Sequence, residues 1–398
     1  MTSSSLSPDA SPQLARLDRL ETYLRDDPAN ESLLAEAFSA ALLCGAWDRA
    51  EFHLRHARAL WPESLAWLLR ESEAALARGD MDSARRSLAG MQALPGTPPA
   101  FADAVLHNLA FVDFQEGRYA ECVERLAPRM DAPVAGQGAA TPPAMDALWL
   151  RALHRAGDIE RAVRWAASRE QGGALAPAAA GIAGLAALDA EQVAHAARWA
   201  GQALAAGAEA VTTEALVTRA SLALGEADAA TAGAYAQAAL ERQPGDGRAR
   251  SALAFAQMLA GDTAGAVQQF HAALSAMPGH IGTWHGLGWA QLVQHDLDGA
   301  LASFEQALAL DRNFGESHGG LAVVLALRQD EAAAREHIER ATRLGGSNLS
   351  GRFAEAILSG ETAPDNFARL AERLLGSQTA PGGAGMLDVV MRALRARR

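Results

Sequence analysis

Lysine is absent from this chain of 398 residues; all 35 of its cationic side chains are arginine. That absence removes the phosphate-loop lysine, the Schiff-base lysine and the lysine general base together. Cysteine is almost absent too. Cys44 and Cys122 are too few for a disulfide framework and too far apart for a metal knuckle. Each falls in an apolar helical pattern, where a buried, inert thiol is the expectation. Aromatics make up only 6% of the residues. Ala and Leu dominate the apolar half, and small residues without β-branched enrichment favour close-packed helices over sheets. No apolar run approaches the ~20 residues of a membrane span; the Ala-rich segment around 174–188 is interrupted by Pro177, Gly181 and Gly184 and followed by Asp189. The opening MTSSSLSPDASPQ has no basic stretch followed by an apolar core, so it does not read as a secretory leader. A formal charge of −12 lacks the basic footprint that nucleic acid or an anionic membrane requires. The expectation is a soluble, cytoplasmic protein that neither binds nucleic acid nor inserts directly into a membrane.

What is present is a period. Leu253, Leu287 and Leu321 are spaced by 34 residues, as are Ala254, Gly288 and Ala322. The same step joins Ala266, Ala300 and Ala334, then Phe270, Phe304 and Ile338, then Ala273, Ala307 and Ala341. Within each copy two helical periodicities flank a turn, Ala260-Gly261-Asp262 or Gln294-His295-Asp296. Pro244 and Pro278 sit where a second helix must stop.

This pattern resembles the tetratricopeptide-repeat (TPR) family, in which a large residue, Leu-Gly/Ala, Ala, an aromatic, Ala and Pro recur in that order. Trp284, Leu287, Gly288, Ala300, Phe304 and Ala307 match it, although Arg312 stands where the terminal proline is usual. The signal is strongest over residues 247–345 and weaker towards the N-terminus. There Gly45, Ala50, Leu54, Ala57 and Pro62, then Gly79, Ala84 and Leu88, then Gly117 with Cys122, then Gly157, Ala162 and Ala166 repeat the turn-and-helix spacing. Residues 177–207 are Ala-rich and degenerate, and 211–244 reads as carrying two extra residues in its turn, Gly225 to Ala232. The resemblance implies an all-α, right-handed superhelical solenoid of about nine TPR-like helix-turn-helix hairpins with N- and C-terminal capping helices. Leu14, Leu17, Leu20 and Leu24 mark the first cap. The expected organisation is a cap and repeats over 11–130, a Pro/Gly/Ala linker over 131–143, a main array over 144–345, and capping helices with an amphipathic tail over 346–398. In that tail Leu387, Val390, Met391 and Leu394 follow helical spacing beside Arg392, Arg395, Arg397 and Arg398.

The stretch GHIGTWHGLG, residues 279–288, packs four glycines and two histidines into ten residues. A phosphate-cradling loop needs a preceding strand and, in the Walker form, a lysine. Neither is present. The repeat register instead places Trp284 in the large-residue column and makes Gly288 a close helix contact. His53 and His56 share a helix face at i, i+3 but have no third ligand in sight, and His280 and His285 straddle a helix start. There is no HExxH and no GxSxG elbow. The reading is a protein that is not an enzyme and needs no cofactor or metal.

In the TPR family the first helix of each hairpin lines the concave face, through positions 2, 5, 9 and 12 of the repeat. Carried onto this chain, the resemblance gives His107, Phe111 and Phe114, then Arg151 and His154, then Ser251, Phe255 and Met258, then His285, Trp289 and Leu292 as candidate groove residues. Phe255, Met258, Trp289 and Leu292 would form an apolar patch suited to a hydrophobic or amphipathic helix of a protein or peptide partner. The alternative is that packing between repeats buries them. A lysine-based clamp on acidic C-termini, used by one subclass of the family, is excluded by composition. Function then reads as a non-catalytic, chaperone-like scaffold in a bacterial pathway. The alternative is an accessory subunit of an enzyme, secretion or envelope-assembly complex, bound through the convex face or the array edges.

Overall fold

The computed structural model describes residues 10–132, 141–173, 175–207, 210–345 and 348–361. Most of the expected linker and the whole amphipathic tail fall outside these. Among the described residues there are 20 helices and no strand. The chain divides into two compact units, Met1–Asp158 and Ile159–Arg398.

The first unit opens with α1 (Ala10–Asp26), followed by the pairs α2 (Glu31–Leu43) and α3 (Trp47–Leu60), α4 (Leu65–Ala77) and α5 (Met81–Gln92), and α6 (Pro99–Gln115) and α7 (Tyr119–Met130). It closes with α8 (Pro143–Arg155). The second unit opens with α9 (Ile159–Gly172). Five pairs follow: α10 (Pro177–Asp189) and α11 (Val193–Ala205), α12 (Thr213–Gly225) and α13 (Ala229–Arg242), α14 (Gly247–Ala260) and α15 (Thr263–Ala276), α16 (Ile281–Val293) and α17 (Leu297–Leu310), and α18 (Gly315–Leu327) and α19 (Glu331–Gly345). The last described helix is α20 (Leu349–Leu358), which packs on both α18 and α19.

The period of the sequence is the period of the helices. The starts of α14, α16 and α18 are 34 residues apart, and so are those of α2, α4 and α6. One expectation needs correcting. The two extra residues do not fall between Gly225 and Ala232. The start of α11 precedes that of α12 by 20 residues, whereas α13 precedes α14, and α15 precedes α16, by 18. The insertion therefore sits in the connection after Ala205, where Ala206 caps the Ala-rich α11 and Gly207 follows in the left-handed region.

Local chemistry explains where the helices begin. Asp228, Asp246, Asp262 and Asp296 each accept a hydrogen bond from the backbone N–H three residues on, at 2.7–3.0 Å. Each satisfies one of the donors a helix N-terminus leaves unpaired. The turn inside each pair, and likewise that between α8 and α9, passes through the left-handed backbone region once. Gly45, Gly79, Gly117, Gly157 and Gly261 occupy that position with φ between 69° and 90°, and Glu191, Ala227, His295 and Gln329 occupy it with φ between 55° and 63°. A side chain there crowds the following carbonyl, so four of the turns carry strain that glycine would relieve.

Packing in the second unit rests on aromatic rings set against glycine. Phe304 of α17 is fully buried. A Cβ on Gly288 of α16 would come within 2.8 Å of its ring, and one on Gly320 of α18 within 2.5 Å. Phe270 of α15 stands in the same relation to Gly286, at 2.5 Å. The columns Ala266/Ala300/Ala334 and Ala273/Ala307/Ala341 are fully buried around these rings, as the repeat register requires. In the first unit the fully buried Trp67 of α4 packs edge-on to Phe38 of α2 at 6.1 Å. Buried Asp113 of α6 draws in Arg85 of α5 at 3.0 Å, and Arg118 and Arg125, at the start and within α7, at 2.7 and 2.6 Å. Three guanidinium groups compensate the desolvation of that carboxylate. Cys122, also buried, has its thiol pushed up to about 12 by burial and by Asp113, which leaves it unreactive.

Two substitutions test this account by chemical denaturation. His295→Gly, like Gln329→Gly, should raise stability by about 1 kcal/mol by relieving the left-handed turn. Gly320→Ala should lower it by about 1–3 kcal/mol by forcing the Phe304 ring from its slot.

Candidate functional site

The candidate groove residues fall on the first helices of successive pairs, in two sets that belong to different units. In the first unit His107, Phe111 and Phe114 lie along α6, all half-buried. His107 stacks almost parallel on Phe111, with ring centroids 6.4 Å apart, and bonds Asn108 through Nδ1 at 3.0 Å. Phe114 meets Tyr119 of α7 edge-on at 5.2 Å. Arg151 and His154 are half-buried on α8, which packs against α6.

In the second unit α14 packs on α16, and α16 on α18. In α14 and α16 position 5 of the repeat bonds the next repeat. Ser251 of α14 hydrogen-bonds Thr283 of α16 at 3.0 Å, and His285 of α16 bonds Ser317 of α18 through Nε2 at 2.8 Å. Each pair is 32 residues apart, so position 5 of one repeat reaches position 3 of the next. Ser251 is buried by this contact. Leu292 is buried as well, in the core around Phe304, Leu321 and Val324. These two side chains serve the seam and the core, and offer a partner no surface in this arrangement.

The remaining residues of this set are partly open. Phe255 is half-buried, edge-on to Phe270 at 4.9 Å. Trp289, one repeat on, repeats that geometry against Phe304 at 5.8 Å. Met258 is half-buried beside Phe255 and Phe270. His285 rests its ring on Phe304 and Phe314, at 5.7 and 5.4 Å. The stretch 279–288 is a repeat boundary. His280 caps α16, accepting from the Thr283 backbone at 3.2 Å, and Trp284 donates to the Pro278 carbonyl at 2.8 Å.

A second aromatic feature carries no clear signal in the sequence. His318 of α18 and His337 of α19 face each other with their Nδ1 atoms 3.0 Å apart. The Arg312 carbonyl accepts from His318 Nε2 at 3.3 Å, which makes His318 Nδ1 the acceptor and His337 Nδ1 the donor. Two histidines 19 residues apart, in different columns of the repeat, give no motif to read. Among the described residues no group of three or more His, Cys, Asp or Glu is placed to hold a metal ion, and no helix is long and apolar enough to cross a membrane.

No protein-family profile matches the sequence, and no curated protein matches it. Solved structures do match, and they are tetratricopeptide-repeat proteins. One is described as the APC/C hetero-tetramer Cut9–Hcn1; it covers 88% of this chain at 14% identity with a TM-score of 0.57. This chain has the tetratricopeptide-repeat fold. It spans 66% of the length of that matched chain. A tetratricopeptide repeat protein from Parabacteroides merdae ATCC 43184 covers 74% of this chain at 16% identity, with a TM-score of 0.34. At these identities the likeness concerns the fold alone, and the TPR groove positions take their meaning here from the contacts above.

Four histidines of the C-terminal repeats sit below the ordinary histidine range. Burial holds His285 down to about 4. Burial is also the largest cause for His280, reinforced by Arg248, and for His318 and His337, reinforced by Arg340. As pH falls below the unfolded value of 6.5, the unfolded chain takes up protons that the folded chain refuses. The stability the His285 ring contributes is therefore complete above that value and is lost between 6.5 and about 4. His285→Phe should keep the ring contacts and shrink the fall in melting temperature between about pH 7 and about pH 4.5, read by circular dichroism. An unchanged fall would show that His285 does not carry the effect.

Proposed function

We propose that this protein is a non-catalytic scaffold or chaperone-like adaptor. It holds a hydrophobic or amphipathic helical segment of a partner protein against the first helices of its repeats. The observation that carries this reading is the row formed by Phe255, Met258 and Trp289, with His285 beside it. These side chains are half-buried and anchored on the rings of the second helices, yet keep an open edge. A rigid aromatic with one face packed and one face free loses little conformational entropy on binding, which is how Trp comes to dominate interface energies. His107, Phe111 and Phe114 with Arg151 and His154 would form a more polar contact surface in the first unit.

A second reading rests on a different row. Val293 and Leu327 occupy the same repeat position, at the ends of α16 and α18, and are 56% and 44% exposed. An accessory subunit docked along the edge of the turns would cover them.

The two readings separate by affinity capture from the native organism, compared by mass spectrometry. The double variant Phe255→Ala, Trp289→Ala should lose at least about tenfold of its capture of the specific partner, as expected for removing hot-spot rings. It should also melt lower, because both rings brace Phe270 and Phe304. Capture is therefore compared well below the variant's melting point. Val293→Glu with Leu327→Glu should leave capture intact. The reverse pattern would move the site to the edge.

A further inference from the structure

If a partner lies along the first helices of the second unit, the half-buried row of Phe255, Met258 and Trp289 awaits an apolar occupant whenever that partner is away. The chain carries a segment of the required kind. Residues 386–398 read MLDVVMRALRARR, and Leu387, Val390, Met391 and Leu394 recur there at i, i+3, i+4 and i+7. That is the spacing with which an amphipathic helix presents its apolar face to a groove.

Charge favours the same match. The segment holds four arginines against one aspartate, on a chain whose formal charge is −12. At about 100° per residue, Arg395 and Arg397 fall on the two flanks of the apolar face. The first helices α14 and α16 end at turns rimmed with acid. Asp262 and Asp296 are exposed there, and each caps the following helix through Oδ1. Asp262 lies four residues beyond Met258, about one helical turn. Asp330 takes the same place after α18 and is exposed as well.

Reach is sufficient. Helices α14, α16, α18 and α20 pack each on the next. Neighbouring helix axes stand about 8–10 Å apart, which puts α16 and α14 about 20–30 Å from α20. Leu387 follows Glu361, the last described residue, by 26 residues. A coil of that length has a root-mean-square span of about 28 Å. Pro381, Gly382, Gly383 and Gly385 give the stretch before Leu387 the composition of a linker. A tether matched to its span holds its end at an effective concentration on the order of millimolar.

We propose that residues 386–398 are the resident occupant of this row, an internal ligand that a partner must displace. The apolar face of the segment lies on Phe255, Met258 and Trp289, and a flanking arginine meets the rim of Asp262 and Asp296. The inference rests on the groove reading and adds its regulation: a partner binds only as tightly as its advantage over the tethered segment allows.

The test uses the purified full chain, without a partner, carrying a photoreactive amino acid in place of Met391. Illumination should give an adduct within one chain, mapped by mass spectrometry to α14 or α16. An adduct elsewhere in the chain, an adduct joining two copies, or no adduct would each overturn the proposal. A labelled synthetic peptide of residues 386–398, followed by fluorescence anisotropy, gives an independent measurement. It should bind the quadruple variant Leu387→Ser, Val390→Ser, Met391→Ser, Leu394→Ser at least about tenfold more tightly than the unsubstituted chain, because the tethered competitor is gone. Equal binding to the two chains, or binding to neither, would also overturn it. The four substitutions lie outside the described helices, and unchanged circular dichroism verifies the fold. Failure here leaves the groove reading standing, since that falls only if partner capture moves to the edge residues Val293 and Leu327.

Discussion

Every element of the C-terminal repeats depends on one contact, a phenylalanine ring pressed onto glycine. Phe304 occupies a slot whose walls are Gly288 and Gly320, on the first helices of two successive pairs. No side chain larger than hydrogen fits there while the ring is in place. That contact sets how closely α16, α17 and α18 approach, and the alanine columns on either side are small because the rings have already fixed the spacing. Phe270 and Gly286 make the same lock one repeat earlier. A stack built of such units adds stability locally, each pair holding its neighbours.

The candidate binding surface follows from the lock. Phe255 and Trp289 stand edge-on to the locked rings, so they are held rigidly on one side while the other side remains partly open. Beneath them runs a polar seam, Ser251 to Thr283 and His285 to Ser317, that ties each first helix to the next. A surface prepared in this way loses little freedom on binding, which suits it to an extended or helical segment of a partner.

Much of this was legible in the sequence because it is periodic and local. The columns of leucine, alanine and phenylalanine identify themselves by recurring every 34 residues, and Gly288 reads as a close contact from its column alone. The aspartate caps and glycine turns announce the helix boundaries. Where those signals are missing the sequence misleads. The Ala-rich α11 is capped by Ala206, an alanine like those before it, so the two extra residues of the connection that follows do not announce themselves. The fate of position 5 was not legible either. Ser251 looks like a groove residue until Thr283 arrives from the next repeat and buries it, and His285 gives Nε2 to Ser317 while its ring stays partly open. Leu292 looks like part of an apolar patch, yet it packs with Phe304, Leu321 and Val324 as core.

The central claim is that the partner lies along the first helices, over the row marked by Phe255, Met258 and Trp289. Its most direct test is site-specific photo-crosslinking in the native organism, with a photoreactive amino acid at position 258 or at position 327. The account predicts a discrete partner adduct from 258 and none from 327. An adduct from 327 alone would contradict it.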